Sequence, residues 1–135
     1  MKLLIDTHLL LFAASAPERL PSEAVRMISD PAHDLWFSAA SIWEIACSPA
    51  SARADIDPGI FRAALLANGY AELAVTGQHC SGLTALPHFG LPHFAGILLA
   101  QALTDGMLLL TSDSDLAGCA GPIRHLPLPD ETGRR

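Results

Sequence analysis

Two aspartates stand at positions where an α/β protein would use them for chemistry. Asp6 follows the short apolar run Leu3–Ile5, and Asp113 lies just beyond a second apolar run at residues 107–110. Such runs predict strands buried on both faces of a parallel sheet. Open α/β sheets bind ligands at the carboxyl ends of their strands. If the two strands are neighbours, the aspartates share one crevice, where a hard divalent cation such as Mg²⁺ would relieve their repulsion. The alternative is that each aspartate only caps the helix that follows it.

Glu44 is a third acidic candidate, because it lies within an apolar helix. The apolar residues around it, 42, 43, 45 and 46, cannot share one narrow stripe, which predicts a helix covered almost all round. A glutamate in such a helix is rarely buried unless it is paired or bound. We therefore expect Glu44 to be functional rather than to lie on a solvated face.

The chain alternates predicted strands with predicted helices, which indicates a parallel sheet covered by helices on both faces. The predicted strands are 3–5, 34–37, 70–75, 107–110 and 123–126, and the predicted helices are 9–14, 22–28, 38–46, 59–68, 76–85, 94–104 and 114–117. We predict one domain over residues 1–127 and a frayed tail over residues 128–135.

Composition indicates a compact protein and limits its partners. The chain has 135 residues, half of them apolar, and a net charge of −6, which argues against an extended basic surface for nucleic acid. Cys47, Cys80 and Cys119 are widely spaced and predict reduced core thiols, as is typical of a cytoplasmic protein. We expect no membrane span, because no apolar run is long enough for one.

Four segments together resemble the PIN domains of VapC-type toxins from bacterial toxin–antitoxin pairs. They are residues 4–8 (LIDTH), 38–46 (SAASIWEIA), 98–102 (LLAQA) and 110–113 (LTSD). The resemblance covers nearly the whole chain in order and spacing. It implies a three-layer αβα fold with a mostly parallel central sheet. It also implies an endoribonuclease that hydrolyses RNA phosphodiester bonds with Mg²⁺ or Mn²⁺, forms homodimers and is inhibited by a small antitoxin protein.

Carried over by position, the resemblance assigns roles to individual residues. Asp6, Glu44 and Asp113 match the catalytic acids, and Asp6 and Asp113 match metal ligands. Thr111 matches a hydroxyl residue that supports this edge of the sheet. Asp115 is a reserve acid if the turn after Thr111 points it inward.

The match fails in the loop before the LLAQA helix, where these toxins usually read Asp-Pro-Phe-Asp-Arg. This chain has the sequence PHFAG at residues 92–96, so Ala95 replaces a metal-binding acid and Gly96 replaces the arginine. Ser48 stands where a lysine usually follows Glu44. The changes remove one acid and two cations expected near a phosphate-binding site. His88 and His93 flank this loop. They could supply nitrogen ligands that favour Mn²⁺ or Zn²⁺, or they are exposed loop histidines.

The leading hypothesis from the sequence is a VapC-like, metal-dependent ribonuclease toxin with a degenerate site. The alternative is a catalytically silent PIN domain that binds an antitoxin or RNA. A phosphatase-type or receiver-type domain with an acidic cation pocket is disfavoured, because the lysine that such domains need after a strand is not evident here. If Ala95 marks a true loss, Ala95→Asp is expected to tighten Mg²⁺ binding.

Overall fold

The computed structural model describes residues 1–48, 56–86 and 93–128, and it contains a five-stranded parallel sheet. The strands are β1 (Lys2–Ile5), β2 (Asp34–Ser38), β3 (Ala71–Leu73), β4 (Leu108–Thr111) and β5 (Ile123–His125). Their order in the sheet is β3-β2-β1-β4-β5, and every neighbouring pair is parallel. The two strands that end beside Asp6 and Asp113 are therefore adjacent, which was the condition for the two aspartates to share one crevice.

Seven α-helices connect and cover these strands within the described ranges. They are α1 (Thr7–Ser15), α2 (Ser22–Ser29), α3 (Ala39–Cys47), α4 (Pro58–Ala67), α5 (Gly77–Ser81), α6 (His93–Asp105) and α7 (Ser114–Ala117). The predicted helix over residues 76–85 ends earlier, because α5 gives way to a 3₁₀ turn at Gly82–Ala85. Thr76 caps the start of α5, as predicted, since its hydroxyl accepts the backbone N–H of His79 in a capping box.

Two apolar clusters, one on each face of the sheet, produce the three predicted layers. Side chains alternate across a strand, so Leu3 and Ile5 pack with α1, α2, α3 and α4, whereas Leu4 packs with α6 and α7. The α/β class and the αβα arrangement are confirmed. The sheet is wholly parallel within the described ranges, and β3 is shorter than the predicted strand over residues 70–75.

The prediction that all three cysteines are core thiols is wrong for two of them. Cys119 is buried, but Cys47 and Cys80 are exposed, and all three are free thiols. Cys47 lies in the last turn of α3 and Cys80 lies in the short helix α5. Among the described helices, none combines the length and apolarity needed to cross a membrane. The cytoplasmic location stays a prediction, and the tail from residue 129 lies outside the described residues.

Candidate active site

Asp6 sits at the carboxyl end of β1 and begins helix α1. Its backbone N–H still belongs to the sheet, donating to the Leu110 carbonyl at 3.0 Å. One side-chain oxygen, Oδ1, accepts the Leu9 backbone N–H at 2.9 Å and so caps α1. The residue is only 3% exposed. The capping role foreseen as the alternative is therefore real, and it occupies one of the two carboxylate oxygens.

The second oxygen of Asp6 is held by the neighbouring strand β4. Asp6 Oδ2 accepts the Thr111 hydroxyl at 2.5 Å and the Ser112 backbone N–H at 3.0 Å. The same hydroxyl oxygen accepts the Asp113 backbone N–H at 3.0 Å. Because Thr111 joins Asp6 to the segment that carries Asp113, it fixes both acidic residues at one edge of the sheet.

Burial and hydrogen bonding act on Asp6 in opposite directions. Desolvation by burial raises the pKa of the Asp6 carboxyl above its ordinary value. The hydrogen bonds from Thr111, Leu9 and Ser112, together with the charge of His8, pull that pKa back down. All three hydrogen bonds are donated to Asp6, which is the arrangement that a carboxylate needs. Burial thus disfavours the charged form of Asp6, and bound positive charge would favour that form.

Asp113 caps the following short helix, and one of its oxygens has no donor among the described residues. Its Oδ1 accepts the backbone N–H of Asp115 at 2.8 Å, which begins α7. Asp113 is half-buried, and its Oδ2 accepts no hydrogen bond from the described residues. Asp115 is exposed, so the structure gives no support for its use as a reserve acid.

Glu44 is connected to this edge through a chain of hydroxyl groups that sequence reasoning missed. The Thr7 hydroxyl oxygen lies 2.7 Å from Glu44 Oε1 and 2.9 Å from Ser41 Oγ. A carboxylate can only accept, so Thr7 donates to Glu44 and Ser41 donates to Thr7. Thr7 and Ser41 are both buried. The available signal was their position, because Thr7 directly follows Asp6 and Ser41 precedes Glu44 by one helical turn.

The expectation that α3 is covered almost all round is wrong. Ser41 and Ile45 are buried, but Trp43 is 62% exposed and Ala46 is exposed. One side of α3 therefore faces solvent, and Glu44 lies half-buried between the exposed side and the buried side. What ties Glu44 to the site is its bond with Thr7 rather than its apolar surroundings. The Trp43 ring meets Phe94 of α6 edge-to-face, with centroids 5.0 Å apart.

The position of the missing acid lies in the apolar core. Ala95 is 8% exposed and belongs to the cluster that contains Leu4, Leu98 and Leu99. His93 is the first residue of α6, and its side chain lies outside what the structure describes, as does residue 88 of the preceding loop. The sequence departure at residue 95 is therefore matched by packing that suits alanine.

Among the described residues, this edge of the sheet is not preformed as a metal site by three protein ligands. Within residues 1–48, 56–86 and 93–128, no group of three His, Cys, Asp or Glu side chains is arranged to hold a metal ion. The roles of Asp6, Glu44 and Asp113 as one set of ligands stay a prediction. However, Mg²⁺ commonly binds through one or two carboxylates and keeps several waters. Asp6 and the unpaired oxygen of Asp113 are acidic groups of that kind.

A pocket of about 410 Å³ lies elsewhere, at the opposite edge of the sheet. Its lining comes from the end of α2 and from the beginnings of β2 and β3, including His33, Asp34 and Gly69. It contains none of the three acidic candidates. Since open α/β sheets place their chemistry at the carboxyl ends of the strands, the Asp6 edge remains the candidate site.

Comparison with known proteins identifies the class of fold. No protein-family model matches the sequence, and no curated protein matches it significantly. Solved structures of toxin–antitoxin proteins do match. VapBC2 from Rickettsia felis, bound to a DNA fragment from its promoter, has a TM-score of 0.67 at 8% identity, covering 93% of this chain and 99% of that chain.

Two further structures agree with that match. A toxin–antitoxin complex from Klebsiella pneumoniae has a TM-score of 0.64 at 17% identity, covering 90% of this chain and 94% of the other. Mycobacterium tuberculosis VapC20, a toxin that cleaves the sarcin–ricin loop, has a TM-score of 0.58 at 16% identity, covering 90% and 98%. The chain therefore has the PIN-domain fold of VapC-type toxins.

Proposed function

We propose that this protein is a VapC-type toxin that hydrolyses RNA phosphodiester bonds at the edge formed by Asp6, Glu44 and Asp113. The observation that carries the proposal is the buried Asp6 carboxylate, which is kept at the end of β1 although burial raises its pKa. A helix cap needs no such burial, since exposed Asp57 caps α4 equally well through the Ile60 N–H. A buried acid with a raised pKa at the carboxyl edge of a sheet favours a functional site.

The chain's own residues divide the work. Asp6 and Asp113 would hold Mg²⁺ or Mn²⁺, which, when bound, lowers the pKa of water and stabilises charge on phosphate. Thr111 fixes the orientation of Asp6 through its hydroxyl. Glu44 has one oxygen engaged by Thr7, and its Oε2 accepts no hydrogen bond from the described residues. That oxygen is free to orient an attacking water and to accept its proton.

An antitoxin is the partner that this proposal implies. Two of the structural neighbours are named as VapBC complexes and one as a toxin–antitoxin complex. For this chain, the acidic edge would receive a basic side chain of the antitoxin, whose charge replaces that of the metal. A homodimer is part of the same proposal.

A second candidate function is a catalytically silent PIN domain that binds an antitoxin or RNA. The specific observation in its favour is the burial of Ala95 in the apolar core, where the resemblance would have an acid. The absence of a three-ligand group in the described part of the chain agrees with it. Binding of a basic peptide needs only the negative edge, so it would survive the loss of catalysis.

RNA cleavage by matched variants separates the two candidates. Wild-type protein should cut structured RNA with Mn²⁺, Asp6→Asn should abolish cutting, and Glu44→Gln should slow it by about 10²–10⁴-fold. Asp57→Asn is the matched control, because Asp57 is another helix-capping aspartate on a different helix. Cleavage that persists in Asp6→Asn would refute the mechanism. A folded wild type that binds the cognate antitoxin but cuts nothing would support the silent module.

A further inference from the structure

Trp43 is a large aromatic side chain that folding leaves exposed. It lies on α3, directly before Glu44, and 62% of it is accessible. Its ring is nonetheless held in place, because Phe94 meets it edge-to-face at a centroid distance of 5.0 Å and an interplanar angle of 77°. An edge-to-face partner stabilises one orientation of an aromatic ring. The indole is thus pre-oriented while much of its surface stays open.

The surroundings of Trp43 suit one flat group rather than a folded protein. Ala46 and Cys47, one turn further along α3, are exposed and small. A tryptophan that is 62% exposed leaves about 100–150 Å² to be covered. A stable protein interface needs roughly 800 Å² on each side. No other large exposed apolar residue lies within α3. A single planar ring would cover the indole and rest against small neighbours.

Charge near the site also favours stacking as the means of holding RNA. The net charge is −6, and Ser48 stands where the resemblance has a lysine. Arg62 is paired with Glu72 and Arg124 with Glu23, while Lys2 lies over Trp36. Each of these three cations therefore already contacts a protein side chain. Stacking of bases on an aromatic ring is a source of affinity for RNA that needs no basic side chain.

We propose that Trp43 is the platform on which the RNA substrate stacks an unpaired base beside the bond that is cut. This inference rests on the proposed function and adds the form of the substrate, a single-stranded or looped segment whose bases are free to stack. Because Trp43 and Glu44 are consecutive, a base on the indole belongs to a nucleotide close to the acidic edge.

Binding of a short fluorescein-labelled oligoadenylate, measured by anisotropy with EDTA present, tests the proposal without requiring cleavage. Trp43→Ala should weaken binding by roughly 5- to 150-fold, the range expected for loss of one stacked base. Trp43→Phe should retain most of the affinity. Leu103→Ala is the matched control, since Leu103 is 49% exposed on α6, and it should bind like wild type.

Two results would overturn the proposal. The first is equal RNA affinity in Trp43→Ala and wild type. The second is a shift of Trp43→Ala from dimer to monomer with unchanged RNA affinity, which would make this surface a contact between copies. Failure of the proposed function looks different. If only the proposed function fails, Trp43→Ala still weakens RNA binding, but the wild type shows no RNA cleavage that Asp6→Asn abolishes.

Discussion

The Thr111 hydroxyl should be the strongest single support of the candidate site, and Thr111→Val tests this. Valine keeps the shape of a side chain that is 0% exposed, but it removes the donor to Asp6 and the acceptor for Asp113 N–H. A hydrogen bond to a buried charged group contributes about 1.5–3 kcal/mol, and the stranded N–H adds about 1 kcal/mol. We expect the free energy of unfolding to fall by about 2–4 kcal/mol at neutral pH.

Urea denaturation followed by circular dichroism measures this loss of stability, and the size of the loss should depend on pH. The Thr111 hydrogen bond is the largest contribution that lowers the pKa of Asp6, so its removal should raise that pKa further. The stability gap between wild type and Thr111→Val should therefore narrow as the pH falls through the folded-state pKa of Asp6, where the carboxyl becomes neutral.

Two controls isolate the hydroxyl. Thr111→Ser keeps it and should cost only about 1 kcal/mol for the lost methyl group. Thr84→Val removes an exposed hydroxyl that bonds only the Ser81 carbonyl, and it should change stability by less than about 0.5 kcal/mol. Equal stability of Thr111→Val and Thr111→Ser, at every pH, would refute the assigned role of the hydroxyl.

Two further predictions concern acids at this edge of the sheet. The folded-state pKa of Asp6 is raised. Wild type should therefore lose stability relative to Asp6→Asn as the pH rises above about 3.9, the ordinary pKa of an aspartate. The loss should have a slope of up to ~1.4 kcal/mol per pH unit and should end once the pH has passed the raised pKa. Urea titrations at several pH values measure the free energy of unfolding of both proteins. A difference between them that stays constant with pH, or that changes in favour of wild type as the pH rises, would contradict the prediction. Ala95→Asp places a charge in the apolar cluster, so it should lower stability by about 3–5 kcal/mol. If thermal unfolding with added Mn²⁺ fully restores its stability, residue 95 faces the metal and the register carried over from the resemblance is correct.

The strand ends could be predicted from the sequence because they depend on local patterns. The apolar run before Asp6 and the run before Asp113 each form a strand, and the two strands are adjacent. Parallel strands with helical connections bring their carboxyl ends to one edge. The placement of the two aspartates at one edge therefore followed from the alternation of strands and helices.

The details that position the site depend on tertiary packing and could not be predicted. The position of Thr7 next to Asp6 was a signal, but the sequence could not show that its hydroxyl bonds Glu44 on another helix. The apolar residues of α3 did not reveal which side of the helix faces solvent, because a tryptophan reads the same in a sequence whether it is buried or, like Trp43, exposed. Likewise, Ala95 read as a lost ligand in the sequence, whereas in three dimensions it fills a place in the core.

Anomalous scattering from a crystal soaked in Mn²⁺ shows whether the Asp6 edge binds the divalent cation that the proposed RNA hydrolysis needs. We expect one dominant peak within coordination distance, about 2.0–2.6 Å, of carboxylate oxygens from Asp6 or Asp113, and we expect Asp6→Asn to lose it. A wild-type crystal with no peak at this edge, or with its dominant peak at the opposite edge near His33 and Asp34, would contradict it.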